Sequence, residues 1–208
     1  MTTQLDVAVE LLDRSLAYTR VMLADVRPDL LHHPTPCAGW TLGRLLAHME
    51  DALDAFIEAA AGRVAIEPVP ASGTRVEALR EKACALLGAW TAARWTGDTV
   101  AVGDAALEAA LLVSTAALEI TVHGWDVGQV TGRRTPVPDD LAAGLLPVAR
   151  QVIHPADRGT RFAPERAAPS AAPSGARLLA WTGRDPLDMT EPLAGNSAEP
   201  TARRGLAS

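Results

Sequence analysis

The sequence is short of the features that mark several common classes of protein. Its 208 residues include two cysteines, Cys37 and Cys84, which are too few for a disulfide framework and do not form a CxxC pair. No apolar run approaches the roughly 18–20 residues that a membrane-spanning helix needs. The N-terminal stretch MTTQLDVAVELLDRS has no basic flank followed by an apolar segment, so no secretory signal is predicted. The expectation is a cytoplasmic protein with reduced thiols and no membrane partner.

Clustered positive charge is also missing. The formal net charge is −6, and lysine occurs once, at Lys82. Adjacent basic residues are confined to the pairs Arg133–Arg134 and Arg203–Arg204. Because domains that bind nucleic acid usually carry a basic patch or stripe, no nucleic-acid partner is expected.

Apolar residues are plentiful, at 48% of the chain, and their spacing predicts helices and no convincing strand. Capping boxes are expected where Thr3 precedes Asp6 and where Thr74 precedes Glu77, and Gly132 is the expected C-cap of the fourth helix. Long helices joined by short links favour an antiparallel bundle. The five helical segments are expected near residues 5–25, 41–62, 74–95, 104–131 and 141–154.

The composition changes after Pro155. The stretch FAPERAAPSAAPSG is rich in proline, alanine and serine, which is typical of a linker. The apolar run ARLLAWTGRDP follows and is predicted to dock as one short helix. The predicted organisation is a helical bundle over residues 1–155, a linker with the docking helix over 156–187, and a disordered tail over 188–208.

Three ionisable residues lie in the C-terminal half of the apolar fourth segment. Glu119, His123 and Asp126 fall within an arc of about 60° on a helix, and Glu119 and His123 meet on adjacent turns. On the second segment, His48 lies beside the leucine stripe, in a row of small residues that lets another helix approach. His48, Glu119 and His123 together form a ligand set for a divalent metal with an open fourth position. Asp126 would then orient a ligand imidazole or bind a substrate group.

The same residues also have simpler interpretations. A Glu–His pair four residues apart is often only a hydrogen-bonded pair, and ExxxH is a weak metal signal without a longer HExxH context. Cys37 has no histidine at an activating spacing, which favours a packed thiol over a nucleophile. Trp40 and Trp125 are predicted to anchor the core, although either one could line a pocket.

Two stretches, PTPCAGWTLGRLLAHM at 34–49 and EITVHGWDVGQVTG at 119–132, resemble signature blocks of a known family. They are similar to the mycothiol-dependent maleylpyruvate isomerase N-terminal, metal-binding family of the DinB-like superfamily. The later LLAWTGRDP, at 178–186, resembles the terminal block of a short actinobacterial subgroup. The resemblance implies an all-α, DinB-like antiparallel four-helix bundle, here with an extra C-terminal helix and a flexible tail. It also implies a metal, usually zinc, held by His48, Glu119 and His123, and Asp126 matches the aspartate of the family's HGWD block.

The resemblance leaves three functions open. The first is a metal-dependent enzyme in which Zn²⁺ activates a low-molecular-weight thiol such as mycothiol for attack on a small-molecule electrophile, by S-transfer or isomerisation. In this enzyme Asp126 orients a ligand or the substrate. The second is a non-catalytic metal-binding accessory or stress protein, with Asp126 closing the site as a fourth ligand. The third is a biosynthetic enzyme that uses the metal as a Lewis acid without a thiol. A homodimer is also left open, because helical bundles of this kind often pair.

Overall fold

The structure, a computed structural model, describes residues 2–61, 74–92, 99–102, 105–159 and 161–185. A small antiparallel sheet joins strand β1 (Thr99–Val102) to strand β2 (Ala105–Glu108). Short 3₁₀ turns lie at Leu23–Asp25, Pro28–Leu30 and Pro155–Asp157. The α-helices of the described part are α1 (Gln4–Met22), α2 (Leu42–Ala60), α3 (Arg75–Ala92), α4 (Ala109–Thr131), α5 (Asp139–Val152) and α6 (Ser174–Trp181).

None of the helices in the described ranges combines the length and the apolar character that crossing a membrane requires.

The predicted capping residues set several helix ends. In the capping box of α1, the backbone N of Asp6 donates to Thr3 Oγ1 at 3.1 Å, and the backbone N of Thr3 donates to Asp6 Oδ2 at 2.7 Å. Thr74 and Glu77 make the same reciprocal contacts before α3. Gly132 ends α4 with φ at 78°, a left-handed conformation that glycine adopts without strain. The capping predictions at these three ends are confirmed.

The prediction that the chain has no strand is wrong, and so is the predicted start of the fourth helix near residue 104. Residues 105–108 pair with 99–102 as a β-hairpin, and α4 begins at Ala109. The sequence TVAV carries β-branched residues that suit a strand, and Val100 is fully buried. Glu108 is therefore an exposed strand residue that flanks the helix. The first helix also ends early, because α1 stops at Met22 and a 3₁₀ turn follows.

Helices α1 to α4 form the bundle. Helix α1 packs on α4 and α3, whereas α2 packs on α3 and α4. The α1–α4 contact is especially close, since a Cβ placed on Gly124 would lie 2.2 Å from Thr19 Oγ1. The Thr19 hydroxyl donates to the carbonyl of Ile120 at 2.8 Å, and the Thr121 hydroxyl donates to Ser15 at 2.8 Å. These buried hydrogen bonds fix the register of α4 on α1 and therefore the height at which its acidic and histidine side chains project.

The C-terminal helices cover one side of the bundle. Helix α5 packs on α4 and α1, and α6 packs on α5. The indole N–H of Trp181 donates to the carbonyl of Ala149 at 3.0 Å, and the backbone N of Gly175 donates to Asp139 Oδ1 at 3.0 Å. Docking of α6 brings the residues that follow it back toward α4. The division of the chain into domains stays a prediction, and the predicted tail over 188–208 lies outside the described residues, as do the predicted helix ends near 62 and 95.

Candidate metal centre

The two bundle helices α2 and α4 bring the predicted ligands together. His48 Nε2 lies 2.8 Å from Glu119 Oε1, and the rings of His48 and His123 are 5.1 Å apart between centroids. One nitrogen of each histidine and one carboxylate oxygen of Glu119 all lie within 4.8 Å of one another. The three side chains are partly exposed, so a small molecule can reach the group. Two imidazole nitrogens and one carboxylate oxygen at this separation fit a divalent cation such as Zn²⁺ with room for an exogenous ligand.

The carboxyl group of Glu119 is ionised in this arrangement. Burial alone would raise its pKa, but the hydrogen bond from His48 and electrostatic interactions with the two histidines and Arg161 hold the pKa below its ordinary value. An acid on an otherwise apolar helix face is costly unless a partner compensates it. His48 is that partner, which accounts for the glutamate in the apolar sequence of α4.

Asp126 lies one turn beyond His123 and is fully buried. Its Oδ2 is 3.0 Å from His123 Nδ1, while Arg184 Nε and Nη2 donate to Oδ1 and Oδ2 at 3.2 and 2.8 Å. Burial would raise the pKa of Asp126, but Arg184 and His123 together lower it to about 2. An ionised carboxylate can only accept, so His123 Nδ1 carries the hydrogen and Nε2 keeps the lone pair that a metal needs.

Cys37 joins this buried network from the loop that precedes α2. Its thiol donates to Asp126 Oδ2 at 3.2 Å and accepts from Arg184 Nη2 at 3.2 Å. Burial and the nearby Asp126 carboxylate raise the pKa of Cys37 to about 12. The thiol therefore stays protonated near neutral pH, which agrees with the interpretation as a packed thiol. The sequence gives no sign that Cys37 contacts Asp126, because 89 positions separate them.

A second group of potential ligands, Cys37, His123 and Asp126, also lies within 4.8 Å. It is a poor cation site, because a guanidinium already neutralises Asp126 and lies beside the sulfur. The thiol is also protonated, whereas metals bind the thiolate. Among the described residues no arginine or lysine forms an ion pair with His48, Glu119 or His123, although Arg161 contributes positive charge near Glu119. For the same reason Asp126 is badly placed to serve as a fourth ligand and well placed to orient His123.

Trp40 closes one side of the candidate ligands. Its ring lies 5.0 Å from that of His48 and 6.5 Å from that of His123, measured between centroids. Trp125, by contrast, is 1% exposed and belongs to the core. The other histidines, His32, His33 and His154, are in neither group of potential ligands among the described residues.

Arg184 is the residue that sequence reasoning misses. It lies after α6, 58 positions from Asp126, and only the docking of that helix brings the two together. The side chain is 10% exposed, and the ion pair with Asp126 raises its pKa above the ordinary range of arginine even though burial opposes the charge. The LLAWTGRDP stretch marks this segment in the sequence, but it does not reveal the partner of the arginine.

The part of the chain that forms the candidate metal centre matches a known protein family. The model of the mycothiol maleylpyruvate isomerase N-terminal domain matches residues 12–128, a range that holds the three candidate ligands and Asp126. The chain belongs to this family. Membership makes it a mycothiol-related, metal-binding protein, and the all-α architecture is DinB-like. Arg184 lies beyond the matched range.

The names of two similar proteins state no activity. The chain is 29% identical over 168 residues to the uncharacterized proteins MT0763 and Rv0738 of Mycobacterium tuberculosis, from strains CDC 1551 / Oshkosh and ATCC 25618 / H37Rv. Each alignment covers 78% of this chain and 90% of the relative. No solved structure gives a significant match.

Proposed function

We propose that the protein is a metal-dependent enzyme that activates a low-molecular-weight thiol, such as mycothiol, for attack on a small-molecule electrophile. One observation carries the proposal: His48 from α2 converges with Glu119 and His123 from α4 within 4.8 Å, at a point open to small molecules. The family membership adds the connection to mycothiol. The reaction class is S-transfer or isomerisation.

The residues of the centre have two proposed roles, binding the metal and orienting one of its ligands. His48, Glu119 and His123 hold the ion, proposed to be zinc, which when bound lowers the pKa of a thiol or water at its open position. Asp126 acts through His123 by fixing the ring and leaving Nε2 free. Because the pKa of Cys37 is raised to about 12, this thiol is not the proposed nucleophile, and the attacking sulfur is proposed to come from a cosubstrate.

The chemistry balances with a thiol and one electrophile. In S-transfer, sulfur forms a bond to the electrophilic carbon, a leaving group departs with its bonding pair, and the thiol proton passes to solvent. In isomerisation, the thiol adds to an unsaturated carbon, and the same thiol departs after rotation about the bond that has become single. Neither reaction requires an oxidant or a reductant.

Metal content tests the candidate ligands directly. Purified protein is expected to hold about one equivalent of zinc, because catalytic zinc sites usually combine three protein ligands with one open position. His48→Ala and Glu119→Ala should each lose most of it. The matched control is His154→Ala, which removes an exposed histidine outside the centre. Elemental analysis that finds undiminished metal in both site variants contradicts the proposed ligand set.

Turnover tests the thiol. Zinc-loaded protein is incubated with mycothiol and an activated aryl chloride, and the loss of free thiol is followed. A rate above background that disappears in His48→Ala and persists in His154→Ala supports the proposal. Conversion of a substrate without any thiol would favour the Lewis-acid enzyme. Zinc bound at full occupancy with no reaction would favour the non-catalytic metal-binding protein.

A further inference from the structure

A cavity of about 410 Å³ lies between helices α1, α2, α3 and α4 and borders the candidate metal centre. Glu119 and His123 are part of its lining. Small-molecule sites in proteins usually enclose about 300–1,000 Å³, so the cavity has the size of a ligand site. It is contiguous with two of the three candidate metal ligands, and a molecule bound there would present one end to the centre.

The walls of the cavity are apolar. All four helices contribute aliphatic or thioether side chains, and the backbone amides of these helices are engaged in helical hydrogen bonds. Such a lining binds hydrocarbon better than hydroxylated or multiply charged molecules, because a polar group placed there loses its water without gaining a partner. The principal apolar lining residues are Leu16, Met49, Leu53, Leu79, Leu87 and Ile120.

The charged groups on the α1 and α3 walls favour an anion. Arg20 and Asp13 of α1 and Arg80 of α3 line the cavity, and all three are exposed. On this wall two guanidinium groups face one carboxylate, whereas the second carboxylate of the lining, Glu119, belongs to the candidate metal centre. Neither arginine forms an ion pair with any residue in the described ranges. Glu77 interacts electrostatically with Arg80, but its carboxylate is hydrogen-bonded to Thr74, so both guanidinium groups can still bind a ligand carboxylate.

We infer that this cavity binds a monocarboxylic acid with an extended apolar body, its carboxylate held by Arg20 and Arg80 and its far end beside Glu119 and His123. As the substrate site of the enzyme, the inference rests on the proposed function. The binding itself depends only on the walls, and therefore it can be tested without metal or thiol.

Straight-chain fatty acids are suitable probes. Calorimetry should give one site for octanoate, with affinity rising about fourfold for each methylene from hexanoate to decanoate. Octylamine should bind at least tenfold more weakly than octanoate. An affinity that ignores chain length, or octylamine that binds as tightly as octanoate, overturns the inference.

Two substitutions on α3 locate the binding. Ala83 lines the cavity and Ala85 is exposed outside it, so Ala83→Phe should weaken octanoate at least tenfold while Ala85→Phe leaves it unchanged. Arg80→Gln changes an exposed residue, and it should weaken octanoate while leaving octan-1-ol unaffected. Equal losses in the two alanine variants, or no effect of Arg80→Gln, would place the fatty acid elsewhere.

A thiol in the wall supplies an independent signal. Cys84 lines the cavity and is exposed, whereas the only other cysteine, Cys37, is held protonated by burial. Octanoate should therefore slow alkylation of Cys84 by iodoacetamide, and an unchanged rate at saturating octanoate would count against the inference. The variant His48→Ala distinguishes this inference from the proposed metal site, because it should lose the metal and still bind octanoate. Octanoate binding without metal in the wild type refutes the metal site alone, and metal without octanoate refutes the cavity site alone.

Discussion

Removal of the Arg184 guanidinium is predicted to be among the most damaging single changes in the C-terminal segment. Arg184→Met keeps an unbranched apolar chain in place of the side chain but leaves the carboxylate of Asp126, which is 0% exposed, without its cation. Removing one partner of a buried ion pair costs about 3–5 kcal/mol, because the remaining charge is desolvated and uncompensated. For a protein of this size each kcal/mol lowers Tm by roughly 2–4 °C, so Tm should fall by about 6–20 °C.

The pH dependence of this loss follows from the pKa of Asp126. In the wild type the folded-state pKa is lowered from 3.8 to about 2, so the ion pair contributes stability above pH 4, and this is lost as pH falls through 2. The shift corresponds to about 2 kcal/mol. Without Arg184, burial dominates and Asp126 is protonated more easily. The difference in unfolding free energy between wild type and Arg184→Met should therefore be largest near pH 6 and shrink toward pH 2.

Urea unfolding of metal-free protein measures the effect, and two further variants make it specific. Adding Asp126→Asn to Arg184→Met should recover part of the lost stability, since no buried charge then remains. Arg133→Met removes an arginine that pairs with Asp25 on the surface at 2.7 Å and should change stability very little. A loss in Arg184→Met no larger than that of Arg133→Met, or no recovery in the double variant, would refute the reasoning.

Three other predictions concern residues that are not among the candidate metal ligands. Burial and the charge of Asp126 raise the pKa of Tyr18, so the stability that its neutral form contributes is present below about pH 10 and is lost as pH rises further. Because Tyr18 is the only tyrosine, absorbance at alkaline pH should show its ionisation together with unfolding. Ionisation of Tyr18 in protein that is still folded would contradict this prediction. Cys37, with a pKa of about 12, should have roughly one part in ten thousand thiolate at pH 8 and react far more slowly with iodoacetamide than the exposed Cys84, as peptide mass spectrometry can determine. Gly124→Ala should lower the free energy of unfolding by about 1–3 kcal/mol, because the added Cβ would lie 2.2 Å from Thr19 Oγ1 of α1. Gly88→Ala is the matched control, since nothing lies within 4 Å of a Cβ at that position. Comparable urea midpoints for the two variants would argue against the close packing of α1 on α4.

The helices and the proximity of Glu119 to His123 could be predicted from the sequence because both depend on local spacing. The four-residue separation of Glu119 and His123 places them on one helix face whatever the remainder of the chain does. The position of His48 beside the leucine stripe was enough to predict that it faces a neighbouring helix, and the structure places it 2.8 Å from Glu119. Capping signals were likewise local, at Thr3 and Gly132 among others.

The hairpin and the buried ion pair could not be predicted in the same way. The short sequence TVAV is too brief for its period to separate it from the start of the following helix, and its pairing with 105–108 depends on burial of Val100. The contact between Arg184 and Asp126 depends on how α6 docks, which is set by tertiary packing of Trp181 on α5. No periodicity in either segment carries that information.

His123 belongs to both groups of potential ligands, and the surrounding charges decide which one binds a cation. Its Nδ1 lies 3.0 Å from Asp126 Oδ2 and 3.9 Å from the Cys37 sulfur, so Nε2 is the nitrogen proposed to bind a metal together with His48 and Glu119. If Asp126 had no guanidinium partner, a carboxylate, a thiol and an imidazole would form a second, competing cation site within the same 4.8 Å. Arg184 takes the place of such a cation with its own charge, while burial and the Asp126 carboxylate keep the Cys37 thiol neutral. The C-terminal segment therefore does more than cover the bundle: its arginine disfavours a cation beside Asp126 and leaves the group of His48, Glu119 and His123 as the proposed metal site.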